Sequence, residues 1–289
     1  MEEYYLELLQ HDHPQLPITS FELLGAGEDH IAFAVNDDCL FRFARDAEAD
    51  RDATRDEADL LIFLQKHSPL TVPLPVYRNE AHGYIGYQKL PGVPLLGMRE
   101  QFTIQGWPTF PQAIGAFLTA IHATPLDQVW AFVHDDPVAL EDWREEARTT
   151  FAQVRRHIPT SSWQRIDAFL LAPVPAEAYV PTLAHNDFGI EHILVDPAMR
   201  RITGIIDWGD AAIADPAYDF GKLYRDLGLA ALEAVLTHYR PTTNDVGAIR
   251  ERAIFYGRCT VFEDLAYGLQ SGYEAYLRKS LALLDQLFD

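Results

Sequence analysis

Two stretches carry residue types that could do chemistry: His185-Asn186-Asp187-Phe188-Gly189-Ile190-Glu191-His192 and Ile205-Ile206-Asp207-Trp208-Gly209-Asp210. Asp187 offers a carboxylate that can accept the proton of an attacking hydroxyl. His192 and Asp207 offer two donors for a cation, with Asp207 supplying the oxygen that a hard divalent ion prefers. Moving a phosphoryl group from a nucleoside triphosphate to a hydroxyl needs these parts. That reaction asks little covalent chemistry of a protein, and its barrier falls by in-line positioning and by neutralising charge on the phosphates. Either fragment alone is commonplace in turns. Both together, in this order, point to phosphotransfer.

The two stretches must be brought together by the elements around them. Ile193-Leu194-Val195 reads as a short apolar strand ended by Asp196-Pro197, with Arg200-Arg201 in the turn and Ile202-Thr203-Gly204-Ile205-Ile206 as the return strand. Such a hairpin carries His192 and Asp207 at adjacent ends. Asp215-Pro216 reads as a turn, and Asp219 as a carboxylate tying the loop around Asp187 to a helix that begins near Phe220.

The nucleotide half is expected upstream. Leu23-Leu24-Gly25-Ala26-Gly27-Glu28-Asp29-His30-Ile31-Ala32-Phe33 reads as strand, glycine turn, strand, in which Gly25 and Gly27 let the backbone approach a triphosphate. Asn36-Asp37-Asp38 turns the chain into a third strand, Cys39-Leu40-Phe41-Arg42-Phe43-Ala44-Arg45. Strand alternation sets Leu40, Arg42 and Ala44 on one face and Phe41, Phe43 and Arg45 on the other. Likeness to the protein kinases, whose third strand carries a cation that reaches the phosphates and pairs with a Glu on the next helix, implies Arg42 as first choice for that cation, paired with Glu57, with Arg45 second. Glu57 lies on a helix expected over residues 53–66. Pro73-Leu74-Pro75-Val76-Tyr77 leads into another strand, and Tyr84-Ile85-Gly86-Tyr87-Gln88-Lys89-Leu90 into a hinge whose backbone from Gln88 to Leu90 would bond a purine.

The remainder is helical. Ala113, Ile114, Phe117, Leu118 and Ile121 recur at helical spacing, and His122 at the end of that run reads as a packed, hydrogen-bonded histidine. Further helices are expected over residues 141–156, 162–171, 247–271 and 273–288. In the penultimate one, aromatic residues stand beside Glu263 and Asp264. Those acids, with Asp210, are candidates for holding the amines of a cationic substrate, and Tyr267 for an apolar platform.

Composition sets bounds. At 289 residues the chain is expected to form two lobes in an α+β arrangement, residues 1–90 strand-rich and 91–289 helix-rich. No apolar stretch approaches the roughly 20 residues of a membrane span, and the first residues lack the basic and apolar regions of a signal peptide. Cys39 and Cys259 fit neither a metal nor a disulfide framework. A soluble, cytoplasmic monomer is expected. The net charge of −20 argues against nucleic acid. Each part contributes −10, so the acidity is denser in the part that should bind nucleotide and is weak support for a polycationic substrate.

On these residues the chain resembles the antibiotic kinases, most closely the aminoglycoside 2″-phosphotransferases. The resemblance rests on Leu183-Ala184-His185-Asn186-Asp187-Phe188 through Asp219-Phe220, on Gly-x-Gly-x-Asp over residues 25–29, on the strand around Arg42, and on Lys89-Leu90-Pro91-Gly92-Val93-Pro94. It implies a bilobal protein-kinase-like fold, Asp187 as catalytic base, His192 with Asp207 as a Mg²⁺ site, ATP or GTP as donor, and an antibiotic hydroxyl as acceptor. One departure stands out: Arg42 occupies a strand position that is usually Lys in aminoglycoside kinases, and at a phosphate the two are not interchangeable. Macrolide 2′-phosphotransferases are similar in that strand, in the Ile-Asp-Trp stretch and in the C-terminal helices, which makes them the alternative. Small-metabolite kinases of the same fold come third. A nucleotide-binding pseudokinase should have lost Asp187 or Asp207, and both are present.

Overall fold

A computed structural model describes residues 2–27 and 30–289. The expected Asp at the end of the glycine turn, Asp29, lies outside the described residues, as does Glu28. The chain is α+β and divides into two compact units, residues 1–66 with 71–90, and residues 67–70 with 91–289. Residues 67–70, expected in the first lobe, thus group with the second unit.

In the first unit, β1 (Phe21–Ala26), β2 (His30–Val35), β3 (Cys39–Ala44), β4 (Tyr77–Asn79) and β5 (Tyr84–Gln88) form an antiparallel sheet ordered β1-β2-β3-β5-β4 among the described residues. The β2–β3 hairpin turns through Asn36 and Asp37, at φ 54° and 63°. Asn and Asp tolerate that left-handed geometry better than other side chains do, and it matches the twist of the flanking strands. Period-two alternation buries Cys39, Phe41 and Phe43 on one face, where they join Phe33, Val35, Ile31 and Tyr84 in an aromatic core. Gly86 on β5 permits this, because a Cβ there would lie 2.5 Å from the Phe41 ring. An unexpected helix, α1 (Glu2–Asp12), covers the core, setting the Tyr5 ring 4.6 Å from that of Phe43. Its last residue, Asp12, accepts hydrogen bonds from Asn79, Tyr84 and His82 at 2.7–2.8 Å. The other face of β3 carries Arg42 toward α2 (Arg51–His67).

The second unit contains α3 (Phe110–His122), α4 (Leu140–Val154), α5 (Thr160–Leu171), α6 (Ala217–Leu227), α7 (Leu229–Leu236), α8 (Val246–Ser271) and α9 (Glu274–Leu287). Its strands form two small sheets, β6 (Val93–Pro94) with β8 (Ile193–Asp196) and β9 (Arg201–Ile205), and β7 (Thr182–Ala184) with β10 (Ala212–Ala214). The β8–β9 hairpin exists as expected, although Arg201 opens the return strand rather than lying in the turn. A single helix was expected from Phe220 onward. Gly228, at φ 81°, instead ends α6 and lets α7 set off in a new direction.

Helix α6 is the centre of this unit, with every residue from Ala217 to Asp226 buried. Its close crossing with α8 rests on two glycines. A Cβ on Gly221 would stand 2.6 Å from the Tyr256 Cβ, and one on Gly257 would stand 2.6 Å from Tyr224 and 2.7 Å from the Gly221 carbonyl oxygen. Because both obstacles at Gly257 belong to packed elements, Gly257→Ala should cost about 1–3 kcal/mol by overpacking. That corresponds to a drop of roughly 2–5 °C in thermal midpoint for a chain of this size. Gly97→Ala, where an added Cβ meets nothing within 4 Å, should stay within about 0.5 kcal/mol. Calorimetry of the two variants checks the crossing, and equal midpoints would refute it.

Candidate active site

The loop between β7 and β8 is held by hydrogen bonds that leave it little freedom. The backbone N–H groups of His185 and Asn186 donate to the two carboxylate oxygens of Asp219, at 3.0 and 2.9 Å. Asn186 adopts φ 63°, and its side chain donates to Asp136 at 3.1 Å. His185 is fully buried, and burial keeps its pKa low. It is therefore neutral, with Nδ1 accepting from the Asp187 N–H at 3.3 Å and Nε2–H donating to the Ile206 carbonyl at 3.0 Å. Further along, the Ile190 N–H donates to Asp226 at 3.1 Å. The buried imidazole of His122 bridges Asp219 and Tyr239, at 3.1 and 2.9 Å.

This scaffold presents Asp187. Its Oδ1 lies 3.1 Å from Lys222 Nζ, and its Oδ2 lies 3.2 Å from His192 Nε2. Burial alone would raise its pKa, but the Lys222 charge and then the His192 hydrogen bond outweigh that and hold the carboxyl well below its usual range. His192 responds in the opposite sense: burial lowers its pKa, while the hydrogen bond and charge of Asp187, with Asp207 behind them, lift it to about 9.

Pairing of Ile193 with Ile205 across β8 and β9, together with an Ile206 N–H to His192 carbonyl bond of 3.0 Å, sets Asp207 beside His192. His192 Nδ1 is 3.5 Å from Asp207 Oδ2. Asp207 stands at φ 64°, a conformation that a non-glycine residue adopts when its surroundings over-determine it. Among the described residues no three His, Cys, Asp or Glu side chains form a ready-made metal cage. The Asp207–His192 pair fits Mg²⁺ in a different way. His192 Nδ1 is a buried nitrogen without a hydrogen-bond partner, next to a hard oxygen donor, and Mg²⁺ characteristically takes one or two protein ligands and completes its shell with phosphate and water.

In the first unit, Arg42 pairs with Glu57 across β3 and α2, while Arg45 donates to the Gly27 carbonyl at 2.8 Å. Among the described residues, a Cβ at Gly25 would meet nothing within 4 Å, and one at Gly27 would stand 3.7 Å from the His30 oxygen. Of the hinge groups, the Lys89 N–H is already committed to the Asp38 carbonyl at 2.7 Å, which removes it from the donors expected for a purine. Gln88 ends β5 and is exposed, and Leu90 is half-buried.

The expected substrate acids separate. Asp264 is corrected: it is buried, with Arg225 at 3.0 Å, Lys279 at 2.9 Å and Ser280 at 3.3 Å. It belongs to an internal ion network. Glu263, one residue earlier and so turned about 100° around the helix axis, is half-buried. Burial raises its pKa to about 7 against the pull of Lys222. Asp210 is exposed, and Tyr267 is exposed beside the rings of Tyr273 and Tyr276. Sequence reasoning missed Lys222 and Asp226. Their signal was present, since Asp219, Lys222 and Asp226 fall at i, i+3 and i+7 on α6 and so share one face.

The profile of the phosphotransferase enzyme family matches residues 20–252. An uncharacterized protein of Bacillus subtilis (strain 168), YcbJ, is 26% identical over 248 residues, covering 81% of this chain and 78% of that one. The GDP complex of wild-type aminoglycoside 2′-phosphotransferase-IIIa is similar over 99% of this chain and 98% of that chain, with 25% identity and a TM-score of 0.74. Macrolide 2′-phosphotransferase type I matches over 98% and 96% of the two chains, with 21% identity and a TM-score of 0.66.

Asp219 should be the residue on which loop order depends. Asp219→Asn keeps one acceptor but turns an amide NH₂ against a backbone N–H, which should cost about 1–3 kcal/mol. Amide exchange at His185 and Asn186 should accelerate roughly tenfold or more, well beyond that at the α3 core. Unchanged exchange at those two amides would remove Asp219 from this role.

Proposed function

This chain belongs to the phosphotransferase enzyme family, and on that premise we propose that it transfers the γ-phosphoryl group of ATP or GTP to a hydroxyl of an aminoglycoside, conferring resistance. The observation that carries the reading is Asp187, ionised and held on both carboxylate oxygens beside the His192–Asp207 pair. An ionised carboxylate fixed in this way can accept a hydrogen bond from the acceptor hydroxyl and fix the direction of its lone pair. Because its basicity is depressed, it takes the proton late, once bonding to phosphorus has made the oxygen acidic.

Asp207 and His192 would hold Mg²⁺, which when bound neutralises charge on the phosphates. In the first unit, Arg42 fixed by Glu57 would meet phosphate oxygens, and Gly25 and Gly27 would let backbone N–H groups approach them. Backbone groups of Gln88 and Leu90 would receive the purine. The GDP held by the aminoglycoside 2′-phosphotransferase-IIIa neighbour supports a guanine nucleotide alongside ATP. Glu263 and Asp210 would take substrate ammonium groups. The protein would act as a cytoplasmic monomer, where both nucleotides are abundant.

A macrolide is the second reading, favoured by the exposed rings of Tyr267 and Tyr273 against the half-buried Tyr276, which suit an apolar ring bearing one amine. A small metabolite is the third. Retention of Asp187 and Asp207 speaks against a pseudokinase.

Purified protein with magnesium and either nucleotide should phosphorylate members of an aminoglycoside panel, and Asp187→Asn should lower turnover by about 10²–10⁴-fold while leaving nucleotide binding nearly intact. Near-wild-type turnover of that variant would displace Asp187 as the base. Expression in a susceptible bacterium should raise tolerance to kanamycin or gentamicin. Protection against erythromycin alone would move the acceptor to the macrolide class and leave the chemistry standing.

A further inference from the structure

Helix α6 touches the loop around Asp187 at three places, through residues that share one helical face. Asp219 takes the N–H groups of His185 and Asn186, and Asp226 takes the N–H of Ile190. Between them, Lys222 reaches the Asp187 side chain itself, at 3.1 Å. Its ammonium is 8% exposed as a residue and lies 5.2 Å above the Tyr218 ring. The first and third contacts fix backbone, and the second fixes the reacting group.

Stability is a poor reason for that middle contact. Withdrawing an ammonium from water costs several kcal/mol, and an apolar side chain of similar volume often does as well or better at such a position. The neighbours Asp219, Arg225 and Asp226 already tie α6 to the loop and to α9. What Lys222 adds is a constraint on the carboxylate. With His192 on Oδ2 and Lys222 on Oδ1, rotation about the Asp187 Cβ–Cγ bond would break two charge-assisted hydrogen bonds. One lone pair of the carboxylate is thereby left in a fixed direction.

Resting on the phosphotransferase reading above, we propose that Lys222 is a positioning residue of phosphoryl transfer, acting through Asp187 to fix the orientation of the carboxylate that receives the acceptor hydroxyl. It makes no bond to the transferred group in this role, and its proton stays on Nζ throughout. Its effect belongs in turnover rather than in nucleotide affinity.

The test uses the full chain, with labelled γ-phosphoryl followed from magnesium-ATP and magnesium-GTP to kanamycin, to erythromycin and to water. Lys222→Met keeps the apolar stem and removes the ammonium. Its turnover should fall about 100-fold, the scale of a small misplacement of reacting groups, with the KM for nucleotide within about 3-fold and the thermal midpoint not lowered. Lys222→Arg should recover part of the loss and serves the same test if the Met variant does not fold. In an Asp187→Asn background Lys222→Met should cause no further loss, because it acts through that carboxylate. Turnover of Lys222→Met near the wild-type value, or a loss that adds in full to that of Asp187→Asn, would overturn the inference. A wild-type chain that moves phosphoryl to none of the three acceptors would instead overturn the proposed function beneath it.

Discussion

The structure of the second unit depends on a buried carboxylate that binds main chain. Asp219 is wholly inaccessible to solvent and accepts from two successive loop N–H groups and from His122. Three donors on one carboxyl group satisfy its oxygens and compensate the cost of burying it. Because the two backbone donors are the left-handed Asn186 and the residue before it, the same carboxylate holds the chain in a conformation that it would not adopt unaided. His122 then ties that carboxylate to α3, whose apolar face packs Phe117 against Phe188 of the loop. A hydrogen-bond network and an aromatic contact converge on one short segment.

A second buried network sits behind the first. Arg225 and Lys279 are shared among Glu191, Asp226 and Asp264, all at 2.7–3.5 Å. These five charges join α6, α8, α9 and the loop residue next to His192. Buried ion pairs are weak contributors to net stability, because desolvation offsets most of the attraction. Their geometry is demanding, however, and a misregistered α9 would leave charges unpaired. The network therefore opposes wrong packings of the C-terminal helices more than it deepens the right one.

The parts of the fold legible in the sequence were those with strong local signals. The β8–β9 hairpin, α3 with its apolar spacing, the packed His122 and the phase of Arg42 follow from periodicity and turn residues, while the pairing of Arg42 with Glu57 was implied by likeness to the kinases. The parts that were not legible depend on tertiary context. Helix α1 is too polar to announce a buried face, and it is retained by Tyr5 in the aromatic core and by Asp12 at its end. Asp264 looked like a substrate acid because it adjoins Glu263, but adjacent helical residues point about 100° apart. Only knowledge of where α9 lies decides which of the two faces inward. Lys222 lies on the helix expected from near Phe220; its place on the Asp219 face was legible in the spacing, but its partner, 35 residues away in sequence, was not.

The ion pairs around Asp187 also bear on what kind of base it would be under the proposed function. A general base works best when its pKa is near the operating pH, and the Lys222 charge with the His192 hydrogen bond drives this carboxylate the other way. That would be a fault in an enzyme that must deprotonate its nucleophile before attack. In a loose transition state the nucleophile forms little bond early and needs little negative charge. The hydroxyl can keep its proton until the phosphorus–oxygen bond is largely made, and the proton then moves downhill to whatever acceptor is already aligned. Under that requirement direction matters more than basicity. A carboxylate immobilised by Lys222 and His192 gives up proton affinity that the reaction does not use and gains the fixed geometry that it does.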